Sequence, residues 1–255
     1  MSHFDHGQQP TAYNTYIGRK LMFLAILVAL TLLMLILAVS LGAVHIPARE
    51  AIPALFHLGD DARYAIIVRH IRLPHALAAI LAGAGLAVAG AAMQSILRNP
   101  LGSPFTLGIS QAGAFGAALS VMIFGSGAMQ STQVGAVSII NPYMTTFCAF
   151  VACMLASLII IAIARLRGAT PEVMILSGVA LGSLFTAGTM LLQYFADDVQ
   201  LAAIVFWAFG DVGRAGWAEV SFMAVVVSVA LIFFILNRWN YNAIDAGDET
   251  AKGLG

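Results

Sequence analysis

Charged residues are scarce in this sequence. Only 9% of its 255 residues are Asp, Glu, Lys or Arg, whereas 60% are hydrophobic. A soluble domain of this size cannot bury so much apolar surface, so the composition predicts a protein whose solvent is lipid. The 12 basic and 12 acidic side chains also cancel. Because no net positive field attracts nucleic acid, we exclude nucleic acid as a partner.

Acidic residues are missing from the whole middle of the chain, since no Asp or Glu occurs between Asp61 and Glu172. The membrane spans predicted below contain no Asp, Glu, Lys, Arg or His either. Proton-coupled carriers need a buried titratable group as a relay, so this absence disfavours a carrier of that kind. A sodium-coupled carrier that uses neutral oxygens and broken helices stays open.

Residues suited to catalysis are equally few. Cys148 and Cys153 lie five positions apart in one apolar stretch, where they face different sides of a helix and form no disulfide framework. All six histidines lie in the first third of the chain, so no buried Ser–His pair can be assembled. No Gly-x-x-x-x-Gly-Lys-Ser/Thr phosphate loop is present. We therefore expect no catalytic residue, no metal site and no cofactor bound by this chain, and an intramembrane enzyme is the weakest alternative.

Long apolar runs dominate what is present. A helix that crosses the bilayer core needs about 20 apolar residues, because its backbone must satisfy its own hydrogen bonds. Six segments qualify, namely Leu21–Val44, Ala76–Leu97, Thr106–Phe124, Met144–Ala164, Val173–Phe195 and Val220–Leu236. The stretch Leu201–Phe209 is too short to cross and is expected to lie at the interface or to re-enter. The predicted fold class is all-α, a polytopic transmembrane helix bundle.

Small residues recur at every fourth position in three of these spans and predict close helix packing. The three series are Gly83, Ala87, Ala91 and Ser95; Gly108, Ala112, Gly116 and Ser120; and Gly178, Gly182 and Thr186. They indicate a tight bundle and carry no information about a substrate.

Lys and Arg in the connections predict the orientation. Alternate crossing places seven basic residues on the side of the N-terminus and five on the other side, which favours a cytoplasmic N-terminus. We therefore predict a cytoplasmic tail over residues 1–20 and a membrane domain over residues 21–244. Residues 245–255 form a further cytoplasmic segment.

Four segments in succession resemble one known family. They are residues 69–74 (RHIRLP), 98–104 (RNPLGSP), 176–181 (LSGVAL) and 247–255 (GDETAKGLG). Their order resembles that of the FecCD-type permeases, the membrane subunits of ABC importers for iron-siderophores, haem and cobalamin. The resemblance implies about ten spans in a complete subunit, so the chain is expected to be truncated within the family's coupling helix.

The second segment has the composition of a break between two helices. Pro100 and Pro104, with Gly102 between them, prevent a continuous helix from the second span into the third. The residues alone leave open an ordinary tight turn at the cytoplasmic surface. The resemblance implies a gate, in which Asn99, Pro100 and Leu101 narrow the cytoplasmic exit. Pro171 and Glu172 occupy the position of the companion constriction, where some relatives have small hydroxyl residues.

Basic residues before the second span suggest a docking site on the outer side. Arg69 and Arg72 can attract an acidic patch of a soluble partner, or they can anchor a helix end in lipid headgroups. The resemblance implies docking of a periplasmic or lipid-anchored substrate-binding protein at Arg69, Arg72 and His75. His75 stands where the family usually has a more basic residue.

The last residues carry the predicted contact with an ATPase. Asp248, Glu249 and Lys252 fit a short amphipathic helix with an acidic start. The resemblance implies that Gly247, Asp248, Glu249, Ala251 and Leu254 begin the helix that couples the permease to a cytoplasmic ABC ATPase subunit.

The combined expectation is a permease subunit of an ABC importer in a bacterial inner (plasma) membrane, paired with a second permease subunit as a homodimer or heterodimer. It would translocate an iron-siderophore or a related metal chelate (haem, cobalamin), while ATP is hydrolysed on the partner subunit. A secondary carrier or facilitator that needs no ATP is the alternative. The sequence does not specify the chelate.

Overall fold

The computed structural model describes residues 11–56, 58, 61–125, 127–129, 137–139, 142–168 and 170–253. The described helices are α1 (Thr11–Ser40), α2 (Ala48–Leu55), α3 (Ala62–Ile66), α4 (Leu73–Leu97), α5 (Ile109–Phe124), α6 (Pro142–Leu166), α7 (Pro171–Phe195), α8 (Asp198–Phe209), α9 (Trp217–Leu236), α10 (Arg238–Asp245) and α11 (Asp248–Gly253). A π-helical segment (Ile67–Arg72) joins α3 to α4, and a 3₁₀ turn (Val212–Arg214) precedes α9. Strands β1 (Gly127–Met129) and β2 (Val137–Ile139) pair antiparallel between α5 and α6. The predicted helical fold class is confirmed.

Five helical stretches in the described part of the chain are long and apolar enough to cross a bilayer. They are Thr15–Ser40, Ala62–Leu97, Tyr143–Leu166, Pro171–Phe195 and Trp217–Leu236. In each stretch, at most 22% of an apolar segment of 18 residues is buried inside the chain. The exposed apolar side chains need lipid as their solvent, so the chain is a multi-pass membrane protein.

The predicted tail over residues 1–20 is helical from Thr11 onward, because α1 begins there. Lys20 places its ammonium 4.4 Å from the ring centroid of Tyr16, one turn earlier on the same helix. The helix therefore extends into the segment expected to be a tail, and residues 1–10 lie outside the described part.

Helix α5 is shorter than the span predicted over Thr106–Phe124. It has 16 residues, and the left-handed glycines Gly108 and Gly125 flank its two ends. At a rise of 1.5 Å per residue it measures about 24 Å, less than the hydrocarbon core. Its neighbours cover much of it, since Ala112, Gly113, Gly116, Ala117, Ala118, Ser120 and Val121 are all buried. The third predicted span is thus an internal helix rather than a lipid-facing one.

Small residues account for the close packing of α5 on α6. A Cβ at Gly116 would lie 2.5 Å from the carbonyl oxygen of Cys148 and 2.7 Å from the Cβ of Ala152. The predicted packing role of the series that starts at Gly108 is therefore confirmed. The series that starts at Gly83 behaves differently, because Gly83, Ala87 and Ala91 are exposed along α4.

Helix α8 covers the stretch that was too short to cross. A capping box starts it, with Asp197 accepting from the backbone N–H of Gln200 at 2.8 Å. Ala203 and Ile204 are buried against Ala118 and Val121 of α5. Helix α8 therefore packs on the buried helix α5, and its position relative to the bilayer stays a prediction.

The first of two compact units comprises residues up to Ile80 together with Gly213–Ser221. Its core contains Val39, Ile46, Ala51, Ala54 and Val68, contributed by the end of α1, the following loop, α2 and the π-helical segment. The second unit comprises Leu81–Val212 and Phe222–Gly255. It contains α5 to α8, α10 and α11, and most of α4 and α9.

Candidate functional site

The candidate gate begins where α4 ends. Asn99 donates its backbone N–H to the carbonyl of Gln94 at 3.1 Å, and Arg98 donates to the carbonyl of Ser95 at 3.3 Å. This pair of bonds forms the Schellman motif, which ends many helices. In this motif the first residue after the C-cap lies in the left-handed region. Arg98 has a φ of 45° and occupies that position, where glycine is usual. A side chain with Cβ costs about 1 kcal/mol there.

The segment between α4 and α5, residues 99–108, is here called the connector, and it is built from local turns. The side-chain oxygen of Asn99 accepts from the backbone N–H of Leu101 at 2.9 Å, and its carbonyl accepts from Gly102 at 2.9 Å. Pro100 fits the second position of such a turn because its φ is fixed. The backbone N–H of Ser103 then donates to the hydroxyl of Thr106 at 2.9 Å. The predicted helix break at these residues is therefore present.

Three glycines let the connector rest directly on α7. A Cβ at Gly108 would lie 2.5 Å from the carbonyl oxygen of Gly178 and 2.8 Å from the Cα of Gly182. A Cβ at Gly178 would lie 2.6 Å from the Cα of Leu107. All of these are backbone atoms, which cannot rotate away as a side chain can. If α7 moves, the start of α5 must therefore move with it or lose this backbone contact.

A cleft of about 420 Å³ opens beside this contact. Its lining includes Phe105, Thr106, Gln111, Ser183, Thr186 and Met190. The hydroxyls of Ser183 and Thr186 donate to carbonyls one turn earlier on α7, at 3.0 and 2.8 Å. The side-chain oxygen of Gln111 is buried and has no hydrogen-bond partner among the described residues. The cleft is thus mainly apolar, with one unpaired amide oxygen in its wall.

The second part of the predicted gate starts the same helix. The hydroxyl of Thr170 caps α7 by accepting from the backbone N–H of Val173 at 3.5 Å, and Pro171 occupies the first helical position. Glu172 follows in the first turn and is exposed. Gly178 lies seven residues after Pro171, about 10 Å farther along the helix axis. The structure therefore places Pro171 and Glu172 on the same helix that the connector contacts.

The predicted coupling residues follow α10. Gly247, with a φ of 117°, makes the turn from α10 into α11 and accepts the backbone N–H of Ala251 at 2.9 Å. Glu249 is exposed. Asp248 and Ala251 belong to α11, and Leu254 lies outside the described residues. The Nε of Arg98 donates to the carbonyl of Ile244 at 3.1 Å, so the end of α10 contacts the end of α4.

Arg72, one of the predicted docking residues, is turned inwards. Its guanidinium donates to the carbonyls of Val39 at 2.7 Å and Ser40 at 2.8 Å, and also to that of Val44. The residue is only 9% exposed. Gly42 makes room for it, since a Cβ there would lie 2.9 Å from Nη2. Arg72 therefore closes the end of α1 and holds the following loop, a role that the sequence did not indicate.

Arg69 and His75, the other two predicted docking residues, are partly exposed. The carbonyl of Arg69 accepts from the indole Nε1 of Trp217 at 3.0 Å. The side-chain Nε of Arg69 is buried and has no hydrogen-bond partner among the described residues. Their docking role stays a prediction, and Arg69 is better placed for it than Arg72.

Comparison with known proteins identifies the family. The model of the FecCD transport family matches residues 30–255, which is most of the chain. The chain belongs to the FecCD transport family. A FecCD protein is a membrane transport subunit, and this family membership agrees with the helical, lipid-exposed fold described above.

The relatives differ in what they carry. A protein of Methanocaldococcus jannaschii, described by inference as an ABC transporter permease, is 50% identical over 96% of this chain and 70% of its own length. The Fe(3+)-citrate import system permease protein YfmE of Bacillus subtilis is 31% identical over 93% of this chain and 66% of its own length. The vitamin B12 import system permease protein BtuC of Citrobacter koseri is 31% identical over 76% of this chain. The chain spans 55% of the length of that protein.

A solved structure shares the FecCD fold. It is an inward-facing conformation of a transporter described by inference as an ABC transporter of the metal-chelate type. The TM-score is 0.72 at 25% identity, over 92% of this chain and 68% of the other. The resemblance drawn from the four sequence segments is thus confirmed.

Sequence reasoning missed three features of this FecCD chain. The inward turn of Arg72 and the contact of Arg98 with Ile244 join residues far apart in the sequence, and no local pattern reports them. The contact of the connector with α7 could have been found, since Gly108, Gly178 and Gly182 already stood out as series of small residues.

Proposed function

We propose that this chain is the permease subunit of an ABC importer that moves an iron chelate, or a related chelate such as haem or cobalamin, into the cytoplasm. The match to the FecCD transport family over residues 30–255 carries this proposal. The printed functions of the relatives, which include iron citrate and vitamin B12 import, support this class of cargo. In this proposal ATP binds to a separate cytoplasmic subunit, and the permease performs no covalent chemistry.

The connector acts as the cytoplasmic gate in this proposal. Asn99, Pro100 and Leu101 lie on the first turn of the connector, whose last residues, Leu107 and Gly108, rest on α7. Pro171 and Glu172 begin that helix. A shift of α7 would therefore displace both parts of the gate. The packing of backbone on backbone supports a rigid transfer of that motion.

The partners follow from the proposed orientation, with the N-terminus in the cytoplasm of a bacterial inner membrane. An ATPase subunit binds the segment from Gly247 to Leu254, with Asp248, Glu249 and Ala251 in the contact. On the outer side a substrate-binding protein docks near Arg69 and His75, with Arg72 holding the local backbone. A second permease subunit completes the translocation path.

Uptake into vesicles tests the proposal. The complete importer, reconstituted with its ATPase and binding protein, should accumulate a radioactive ferric chelate only when ATP is present on the cytoplasmic face. ADP and a non-hydrolysable analogue should give no accumulation. Uptake that persists without nucleotide, or that follows an imposed sodium gradient, would replace the proposal by a secondary carrier.

A further inference from the structure

Arg98 occupies a backbone position that is unfavourable for it. Within the described part of the chain it is the one residue other than glycine with a positive φ, at 45°. The Schellman ending of α4 needs this conformation, which glycine adopts without strain. Helix termination alone therefore does not explain an arginine at this position, and its side chain must be considered.

The side chain reaches the turn that leads into α11. Nε donates to the carbonyl of Ile244 at 3.1 Å, across 146 residues of sequence. The same carbonyl accepts the backbone N–H of Gly247 at 3.1 Å. Gly247 is the residue that redirects the chain from α10 into α11. A cation also suits this place, because the last carbonyls of a helix carry partial negative charge.

The backbone of Arg98 continues into the connector. One residue later Asn99 starts the turn that ends at Gly102. Nine and ten residues later, Leu107 and Gly108 rest on the backbone of α7. Through its side chain Arg98 therefore contacts the end of α10, which the turn at Gly247 joins to the predicted coupling segment, residues 247–254. Through its main chain it continues into the gate.

We propose that Arg98 is a positioning residue that transmits movement of the coupling segment to the connector, through the hydrogen bond from its Nε to the carbonyl of Ile244. The inference rests on the proposed function and names the contact by which nucleotide-driven motion reaches the gate. A motion of α11 that carries the Gly247 turn would pull on Arg98 and on the end of α4, and so would displace the turn at Asn99.

A lipid-anchoring role makes a different prediction. Arg98 is exposed and lies on the side predicted to be cytoplasmic, where any cation can interact with headgroups. In that role its loss should resemble the loss of another arginine on the same side. Arg167, exposed at the end of α6, provides the matched control.

The experiment compares Arg98→Gly and Arg167→Gly in the complete importer, reconstituted with its ATPase and binding protein. We measure thermal stability, ATP hydrolysis and import of a ferric chelate in the same preparation. Arg98→Gly should fold normally, because glycine suits the left-handed backbone. It should still hydrolyse ATP, but import per ATP should fall about tenfold, the loss expected for one charge-assisted hydrogen bond. Arg167→Gly should keep the unmodified ratio.

Arg98→Asn is a second variant, because asparagine tolerates this backbone and is too short to reach Ile244. It should lower the import per ATP in the same way. An unchanged ratio in both variants, or an equal fall in Arg167→Gly, overturns the coupling role. Loss of folding in both Arg98 variants also overturns it, by making the arginine structural. An unmodified importer without ATP-driven import would refute the proposed function as well, which separates the two failures.

Discussion

Replacing Gly178 by alanine tests whether the contact between the connector and α7 controls the gate. The added Cβ would lie 2.6 Å from the Cα of Leu107 and 3.0 Å from its carbonyl carbon and oxygen. Carbon atoms in contact prefer about 3.5–4.0 Å, so either α7 or the connector must move by about 1 Å. Overpacking of this kind costs about 1–3 kcal/mol, and alanine returns about 1 kcal/mol of helix propensity. The net loss of stability should be at most about 2 kcal/mol.

Gly178→Ala should reduce transport more strongly than its small loss of stability would explain. A displacement of about 1 Å separates the start of α5 from α7 and changes the position of the turn at Asn99. We expect thermal unfolding in detergent to shift little and ATP-driven uptake to fall strongly.

Gly83→Ala is the control, because no atom of the described residues lies within 4 Å of a Cβ at that helical position. It should be as stable as the unmodified chain or slightly more so, with normal uptake. If Gly178→Ala matched Gly83→Ala in both measurements, the reasoning about the close backbone contact would be refuted.

Three further substitutions test other parts of the account. Arg72→Leu should lower the free energy of unfolding by about 3 kcal/mol, because three backbone carbonyls lose their donor; an unchanged melting curve would contradict this. Asn99→Ala should remove the turn at Leu101 at a cost of about 1 kcal/mol, and an otherwise cysteine-free chain carrying Leu101→Cys should then react faster with a polar maleimide. Glu249→Arg should weaken co-purification of the ATPase by about tenfold or more, and normal co-purification would remove this residue from the contact.

Hydrophobic length and helix signals made most of the fold predictable. Five spans could be read from apolar runs, because a lipid-exposed helix has no alternative solvent. The start of α7 was also close to its predicted position, since Thr170 and Pro171 are favourable at a helix N-terminus. The end of α5 was predicted correctly at Phe124, but its start was not, because Gly108 adopts the left-handed conformation that ends a turn.

The candidate site was predictable only where its geometry is local. Pro100 and Pro104 restrict their own backbone, so the break after α4 could be foreseen. Arg72 looked like a surface cation, because nothing in its neighbourhood announces that the carbonyls of Val39 and Ser40 lie opposite. No local pattern indicates the bond of Arg98 to Ile244 either, because that bond depends on how α10 packs.

The labelling rate of a cysteine at Leu101, which is 76% exposed in this structure, tests the central claim most directly. The complete importer carrying Leu101→Cys, with Cys148 and Cys153 replaced by alanine, is treated with a polar maleimide without nucleotide and with a non-hydrolysable ATP analogue. If an ATPase drives the connector as a gate, the two rates should differ clearly, and Arg98→Gly should abolish the difference. Equal rates in an importer that accumulates chelate with ATP would contradict the account.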